Sequence, residues 1–487
     1  MYFCERKPAI CGKNEYLCGR KLAKMETTIY KIQVPATLRA KVKLPASKSI
    51  SNRAILMSAL ACRNGESGDF VSLLENLSDC DDTTVMLRAL AKLLPASRSS
   101  FLVPRSSQCS VIDVGAAGTA MRFLTAFLAV SEGVFVLTGT ERMKQRPIGI
   151  LVEALRQLGA EIEYLGETGF PPLRIVGKPL DSGTVEISGE VSSQYVSALL
   201  IIAPTLRNGL EIKMIGDVVS RPYIDLTLWM MREFGADADW TSDDTISVKS
   251  GAYRQRSYRV ENDWTAASYW YEMVALTADE NAEIRLPGLS EDSKQGDAVV
   301  RDIFSMLGVG TEFFSRKEEG GTRKEERGTR NEEGETRSEE RGARTEVVLR
   351  KNGRVVPRFD YDFVNSPDLV QTVAVTCAAK GIPFHFRGLQ SLKIKETDRL
   401  AALVSELRKL GFAIRIENGS GLVWDGERCE PTFEPIDTYD DHRMALSFAP
   451  LALVFPDLKI RNPQVVTKSY PQFWEEFCRA KFIVHSS

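Results

Sequence analysis

One local pattern returns four times along this chain. An amphipathic, apolar stretch closes on Leu158-Gly159-Ala160, on Phe234-Gly235-Ala236, on Leu307-Gly308-Val309 and on Leu410-Gly411-Phe412. The first of these runs straight into the strand-like Glu161-Ile162-Glu163-Tyr164. Glycine suits the left-handed residue that follows a helix, where a side chain would clash. The glycines lie 76, 73 and 103 residues apart, and the last spacing contracts to 71 once the 32 residues 315–346 are set aside. Each unit therefore reads as a helix, a glycine cap and strands, about 72 residues long. Such a unit is a small α/β subdomain rather than a solenoid turn. From Met25 to Ser487 without the insertion the chain has 431 residues, or about six units. Six units predict two lobes of three, with helices covered by sheets.

Two segments stand outside this repeat. Residues 315–346 contain no apolar side chain except Ala343 and repeat every seven residues from Gly321, Gly328 and Glu335. A heptad with Thr, Arg or Glu at its seam has nothing to bury, so the segment reads as a solvated, charged insertion between two strands. Residues 1–24 have no apolar core of a signal peptide and read as a disordered extension, with Met25 as the candidate natural start.

Bulk properties narrow the function. The net charge is −2, so no global basic field is available to hold nucleic acid or an anionic membrane. No apolar run approaches the ~18 residues of a membrane span. The nine cysteines are odd in number and form no C-x-x-C pair, and they read as reduced thiols in a cytoplasmic protein. Cys4, Cys11 and Cys18 lack a histidine or a close pair, which argues against zinc there.

Cationic and polar clusters recur at the starts of predicted helices. Lys48, Ser49 and Arg53 open the apolar run Ala54 to Leu60. Free N–H groups at a helix start attract anions, although a capped helix with surface charges explains this segment about as well. Gly115-Ala116-Ala117-Gly118-Thr119 leads into a helix but has neither Walker nor dinucleotide spacing. Arg142, Lys144 and Arg146 precede a helix whose start repels cations, which makes sense if a dianion neutralises them. Ser192-Ser193-Gln194-Tyr195 offers more hydroxyls than capping needs, and Ser220-Arg221-Pro222-Tyr223 is similar one unit later. Lys395 and Arg399 have the spacing of one helix face, with Glu396 beside them as a carboxylate of tunable pKa. Asp441-His442-Arg443 and Lys468-Ser469-Tyr470 complete the set. If these starts converge, they form one pocket for several negative charges. No metal-ligand set appears, and neither metal nor cofactor is assigned.

These segments, in this order, resemble the EPSP synthases (3-phosphoshikimate 1-carboxyvinyltransferases), from about residue 28 to residue 478 apart from the insertion. The Lys395-Glu396-Thr397-Asp398-Arg399 and Asp440-Asp441-His442-Arg443-Met444 segments are specific to that family. The resemblance implies the two-lobed α/β enolpyruvyl transferase fold, each lobe three βαβαββ units with helices inside and sheets outside. It implies lobe I from 25–46 plus 262–487, lobe II from 47–261, and hinges near 46 and 261. The implied reaction joins shikimate 3-phosphate to phosphoenolpyruvate and releases phosphate, in a monomer that closes on its first substrate. By position, Lys48, Ser49, Arg53, Ser192, Ser193, Gln194, Ser220, Tyr223, Asp368, Ser391 and Lys395 would hold shikimate 3-phosphate. Lys48, Gly118, Thr119, Arg146, Gln194, Arg399, Arg443 and Lys468 would hold phosphoenolpyruvate. Asp368 and Glu396 would share the proton transfers, with Lys395 and Lys48 as catalytic cations. Ala116, Phe123, Ser391 and Arg221 depart from the residues usual in the family. The alternatives are the sister transferases acting on UDP-N-acetylglucosamine, which carry a loop cysteine that this chain lacks between Cys109 and Cys377, and an inactive anion-binding relative.

Overall fold

The computed structural model describes residues 28–63, 69–93, 109–181, 183–316 and 344–486. The extension 1–24 and most of the charged insertion lie outside the described residues. The four repeat glycines take the left-handed backbone their motif demands, with φ of +89° at Gly159, +88° at Gly235, +105° at Gly308 and +89° at Gly411.

Among the described residues the strands form six sheets, four of them four-stranded. One unit shows the common plan. Strand Ser110–Asp113, helix Gly118–Ala129, strand Gly133–Thr138 and helix Gly149–Gln157 are followed by strands Glu161–Tyr164 and Leu173–Gly177. The first two strands pair in parallel, and the last one inserts antiparallel between the second and the third. The same order recurs in the sheets of residues 183–248 and 359–424. It recurs again where strand Arg39–Lys41 pairs in parallel with the distant Glu283–Pro287. Two smaller sheets, one around Ile29–Gln33 and one joining Leu74–Glu75 to Tyr258–Arg259, complete the six.

Burial follows the sequence periods. Strand Leu210–Ile215 alternates buried and exposed, as a sheet with one wet face must. Helix Gly118–Ala129 is buried along its whole length and helix Trp264–Leu276 at every position except Thr265, matching their largely apolar composition. Helices are thus inside and sheets outside. Apolar side chains gather in two cores. One spans Ala46 to Val260, and the other takes Ile32 to Leu44 together with Trp264 to Phe482. The chain passes between them twice. These passages lie side by side, with the Ser47 N–H donating to the Glu261 carbonyl at 2.8 Å and the Asp263 N–H to that of Pro45 at 2.9 Å.

The insertion is shorter than the composition suggested. Strands Leu307–Arg316 and Arg344–Val355 stay paired out to Arg316↔Arg344. Main-chain hydrogen bonds extend a hairpin without needing apolar side chains, so lack of apolar residues did not mark the strand ends.

The Trp264–Leu276 helix also carries Glu272, which is 0 % exposed, and neither carboxyl oxygen has a hydrogen-bond partner among the described residues. Burial pushes this carboxyl well above its ordinary range. The folded state then holds the proton more tightly than the unfolded chain does, so stability falls as pH rises above the carboxylate range. Glu272→Met is expected to raise the melting temperature. The gain should grow from pH 5 to pH 8, by up to about 1.4 kcal/mol per pH unit. Thermal unfolding across that range tests it, and a pH-independent difference would refute it.

Candidate active site

A cavity of about 310 Å³ lies where the two cores face each other. Several helices point their first turns at it, among them Lys48–Arg63, Gly118–Ala129, Ser193–Ile202 and Arg221–Glu233 from one core, and Arg399–Lys409 and His442–Phe448 from the other. Seven cationic side chains line it: Lys48, Arg53, Arg122 and Arg146 on one side, and Lys395, Arg399 and Arg443 on the other. Only four carboxylates do, Asp82, Glu190, Asp368 and Glu396. The helix starts add partial positive charge, so the cavity favours anions.

The cations fall into two groups. Arg399 is 2 % exposed and meets Asp441 at 2.7 Å, Glu396 at 3.0 Å and Asp368 at 3.3 Å. Arg443 adds a 2.7 Å contact to Asp368, and Lys468 a 2.8 Å contact to Glu396. Arg146 reaches Glu396 from the opposite core at 3.5 Å. In the second group, Arg53, Arg122 and Lys395 have no ion pair among the described residues. Arg53 instead donates to Thr227, Ser197 and two carbonyls, those of Ser49 and Tyr223. Arg122 donates to the Gly118 and Pro147 carbonyls. Lys48 has only a 3.9 Å contact to Asp82.

Titration follows from these neighbours. Burial would raise the Asp368 carboxyl, but Arg443, Lys395 and Arg399 hold it well below its usual range. Burial likewise opposes ionisation of Glu396, and Lys468, Arg146 and Arg399 overcome it. Burial lowers Lys395 against the pull of Asp368, whereas at Lys48 burial is the largest influence but is outweighed by Asp82, Cys80 and Glu396 together, and the ammonium is raised. Burial brings Arg53 and Arg122 down to about 10, and both stay charged at neutral pH. His442, buried between Lys48 and Arg443, is held well below 6.5 by desolvation and then by those cations, so its ring is neutral.

The sequence model of the EPSP synthases (3-phosphoshikimate 1-carboxyvinyltransferase) matches residues 32–477. The chain belongs to the EPSP synthase family. It is 48 % identical to the 3-phosphoshikimate 1-carboxyvinyltransferase of Bacteroides fragilis strain YCH46 over 454 residues, covering 93 % of this chain and 98 % of that protein. The Vibrio cholerae serotype O1 strain M66-2 protein of the same name is 37 % identical, over 91 % of this chain and 97 % of its own length. Among solved structures, an EPSP synthase from Acinetobacter baumannii superposes with a TM-score of 0.66 at 19 % identity, covering 95 % of this chain and all of that one. The enolpyruvyl transferase NikO from Streptomyces tendae gives 0.63 at 14 % identity, over 95 % of this chain and 99 % of that one, a likeness of fold.

Within this EPSP synthase cavity the structure brings together nearly all the residues singled out by sequence. Lys48, Ser49, Arg53, Gly118, Thr119 and Arg146 line it, as do Ser192, Ser193, Gln194, Ser220 and Tyr223. From the other core come Asp368, Ser391, Lys395, Glu396, Arg399 and Arg443. Lys468 does not line the cavity and reaches it through Glu396.

Two local readings need correction. Lys395 and Arg399 do not share a helix face. The helix starts at Arg399 because Asp398 caps it, accepting from the N–H groups of Leu400 and Ala401 at 3.1 Å, so Lys395 sits in the loop before it. Of the Arg142–Arg146 cations only Arg146 lines the cavity. Lys144 pairs with Glu141 at 2.7 Å, and Arg142 donates to the Glu396 and Lys395 carbonyls at 3.1 and 3.3 Å. A Cβ at Gly118 would stand 2.6 Å from Arg146 Nη1 and 2.9 Å from Arg122 Nη1, so both guanidinium groups would have to shift.

Asp82, Glu190 and Gln390 line the cavity without having been singled out. Asp82 sits in the first turn of the helix Asp81–Leu93, where an acidic residue is ordinary, so nothing in the sequence separated it from a capping charge. Two departures from the family pattern find partners. The Phe123 ring lies under the Arg53 guanidinium at 5.4 Å, and Arg221 stacks on Trp240 at 4.0 Å.

Removing the Arg399 guanidinium would leave three carboxylates, including the buried Asp441, without their common partner. Arg399→Met is expected to destabilise the fold by about 3–5 kcal/mol. Arg399→Lys should recover little, because one ammonium cannot span three acceptors. Urea unfolding at pH 7 measures both.

Proposed function

We propose that this chain transfers the carboxyvinyl group of phosphoenolpyruvate to the 5-hydroxyl of shikimate 3-phosphate and releases phosphate. The observation that carries this reading is the division of cations within one cavity. Arg53, Arg122 and Lys395 make no ion pair among the described residues, while Arg399, Arg443 and Lys468 hold Asp368 and Glu396 ionised. Two phosphorylated substrates bring the missing negative charge. The first group draws them in, and the second places two carboxylates among them.

Ser49, Arg53, Ser192, Ser193, Gln194, Ser220, Tyr223 and Ser391 form the shikimate 3-phosphate side of the cavity in this reading. Hydroxyl groups beside arginines suit a sugar-like ring bearing a phosphate. Lys48, Gly118, Thr119, Arg146, Gln194, Arg399, Arg443 and Lys468 form the phosphoenolpyruvate side. In the addition step the 5-hydroxyl oxygen bonds to C2 of phosphoenolpyruvate. Its proton leaves to a base, and an acid protonates the C3 methylene. In the elimination step C3 returns a proton and the C2–O bond to phosphate breaks. Asp368 and Glu396 share these transfers, with Lys395 and Lys48 assisting. Their cations make both carboxylates weak bases. Substrate anions that draw Arg443, Arg399 and Lys468 toward themselves would relax that hold and raise the basicity when it is needed. The same cations then favour departure of phosphate.

The two cores serve as lobes, 25–46 with 262–487 and 47–261, hinged at the paired passages beside Ala46 and Asn262. The resemblance to the family further implies a monomer. The buried thiols of Cys80 and Cys377 suit the reducing cytoplasm.

Purified protein mixed with phosphoenolpyruvate and shikimate 3-phosphate should release phosphate, and should not do so with UDP-N-acetylglucosamine instead. Release only with the sugar nucleotide, or with neither, overturns the reading. Asp368→Ala should lower kcat by roughly 10²-fold or more in the same assay, and near-normal turnover would remove Asp368 from the chemistry.

A further inference from the structure

Behind the cavity wall, a contact between the two cores involves a carboxylate to which neither the sequence motifs nor the reaction scheme gives a role. The short helix Gly296–Val299 belongs to the second core, and its Asp297 is 4 % exposed. Tyr223, in the first turn of the Arg221–Glu233 helix of the first core, donates its phenol proton to Asp297 Oδ1 at 3.0 Å. Thr265 donates to the other oxygen. Tyr223 lines the cavity, and Asp297 stands behind it.

The surroundings are shaped for this contact. A Cβ on Gly296 would lie 2.7 Å from Pro222 Cβ, so only a glycine lets the Gly296–Asp297 backbone approach the start of the opposing helix this closely. One residue earlier, the Ser220 N–H donates across the same junction to the Val364 carbonyl at 3.0 Å. Ser220 holds a left-handed φ of +57°, which turns the chain into the helix at this point. Charges fix the donor. Burial, then Asp297 itself, hold the Tyr223 phenol well above 10, so it keeps its proton. Burial and the nearby Asp368 push Asp297 up to about 6, opposed by Thr265 and Arg443, so it is mainly the carboxylate at neutral pH.

We propose that Asp297 is a positioning residue: it fixes the Tyr223 phenol and the start of the Arg221–Glu233 helix against the opposite core, and this contact completes the shikimate 3-phosphate part of the cavity. The inference rests on the reading of Tyr223 as part of that subsite. Asp297 does not touch the substrate. It acts by holding the tyrosine and the helix start that carries Ser220.

The test is a double-mutant cycle, with KM measured separately for the two substrates. Asp297→Ala and Tyr223→Phe should each raise KM for shikimate 3-phosphate roughly tenfold, the size of one lost charge-assisted hydrogen bond. KM for phosphoenolpyruvate should stay within about twofold, and the double variant should be no worse than the poorer single one. Asp297→Asn keeps an acceptor for Tyr223 and should recover most of the loss, and it carries the test if the alanine variant fails to fold. Gly296→Ala, with Asp297 intact, should reproduce the selective rise. Equal increases in both KM values, additive effects in the cycle, or an unchanged KM in Asp297→Ala overturn the proposal. An unchanged KM in Tyr223→Phe overturns it too, by removing the tyrosine from the subsite. Phosphate release by the native chain would still decide the reaction independently.

Discussion

The Arg399 guanidinium binds three carboxylates contributed by three separate stretches of chain. Asp441 caps the His442–Phe448 helix by accepting from the Arg443 N–H at 3.0 Å, and so couples that helix to the guanidinium. Glu396 comes from the loop that precedes Arg399's own helix, and Asp368 from the turn Pro367–Leu369. A planar, permanently charged fork is the one side chain that can satisfy several carboxylates at once in a buried setting. Burying three carboxylates near one another without it would be strongly unfavourable. Its presence lets Asp368 and Glu396 sit ionised at the mouth of a cavity otherwise lined by cations.

Around that hub the fold supplies directions rather than chemistry. Six sheets turn their wet faces outward and press apolar helices inward, and several of those helices begin at the cleft between the two cores. The resulting concentration of helix starts and cations is a consequence of repeating one α/β plan with short turns. Several polar contacts connect the cores beside the cavity. Arg146 contacts Glu396, Arg142 grips two carbonyls next to the hub, and Tyr223 meets Asp297. Two hydrogen-bonded passages of backbone join the cores covalently. Such an arrangement concentrates any relative motion of the cores at those passages and places its consequences at the cavity.

Much of this was readable along the chain, for identifiable reasons. The glycine spacing revealed the number of units because a left-handed residue after a helix admits few other side chains. The polar and cationic helix starts were visible because each lies within a few residues of its own apolar run. Contacts made by residues distant in sequence escaped notice. Asp82 looked like an ordinary first-turn acid, and Asp297 lay outside every cluster. Lys395 had helical spacing from Arg399, yet the Asp398 cap moved the helix start past it. The ends of the charged insertion were misplaced because hairpin pairing depends on main-chain groups that composition does not report.

Local sequence, then, determined the repeat, the caps and which residues could carry charge to a ligand, since these depend on neighbours within a turn or two. Tertiary structure decided which charges are neutralised and which remain available. Arg399 and Arg53 are both arginines near a helix start, but one is surrounded by carboxylates and the other by hydroxyls and carbonyls. Apart from Glu396 and the Ser49 carbonyl, the groups that make the distinction lie more than thirty residues away in sequence, and electrostatic energy depends on distance in space, not along the chain.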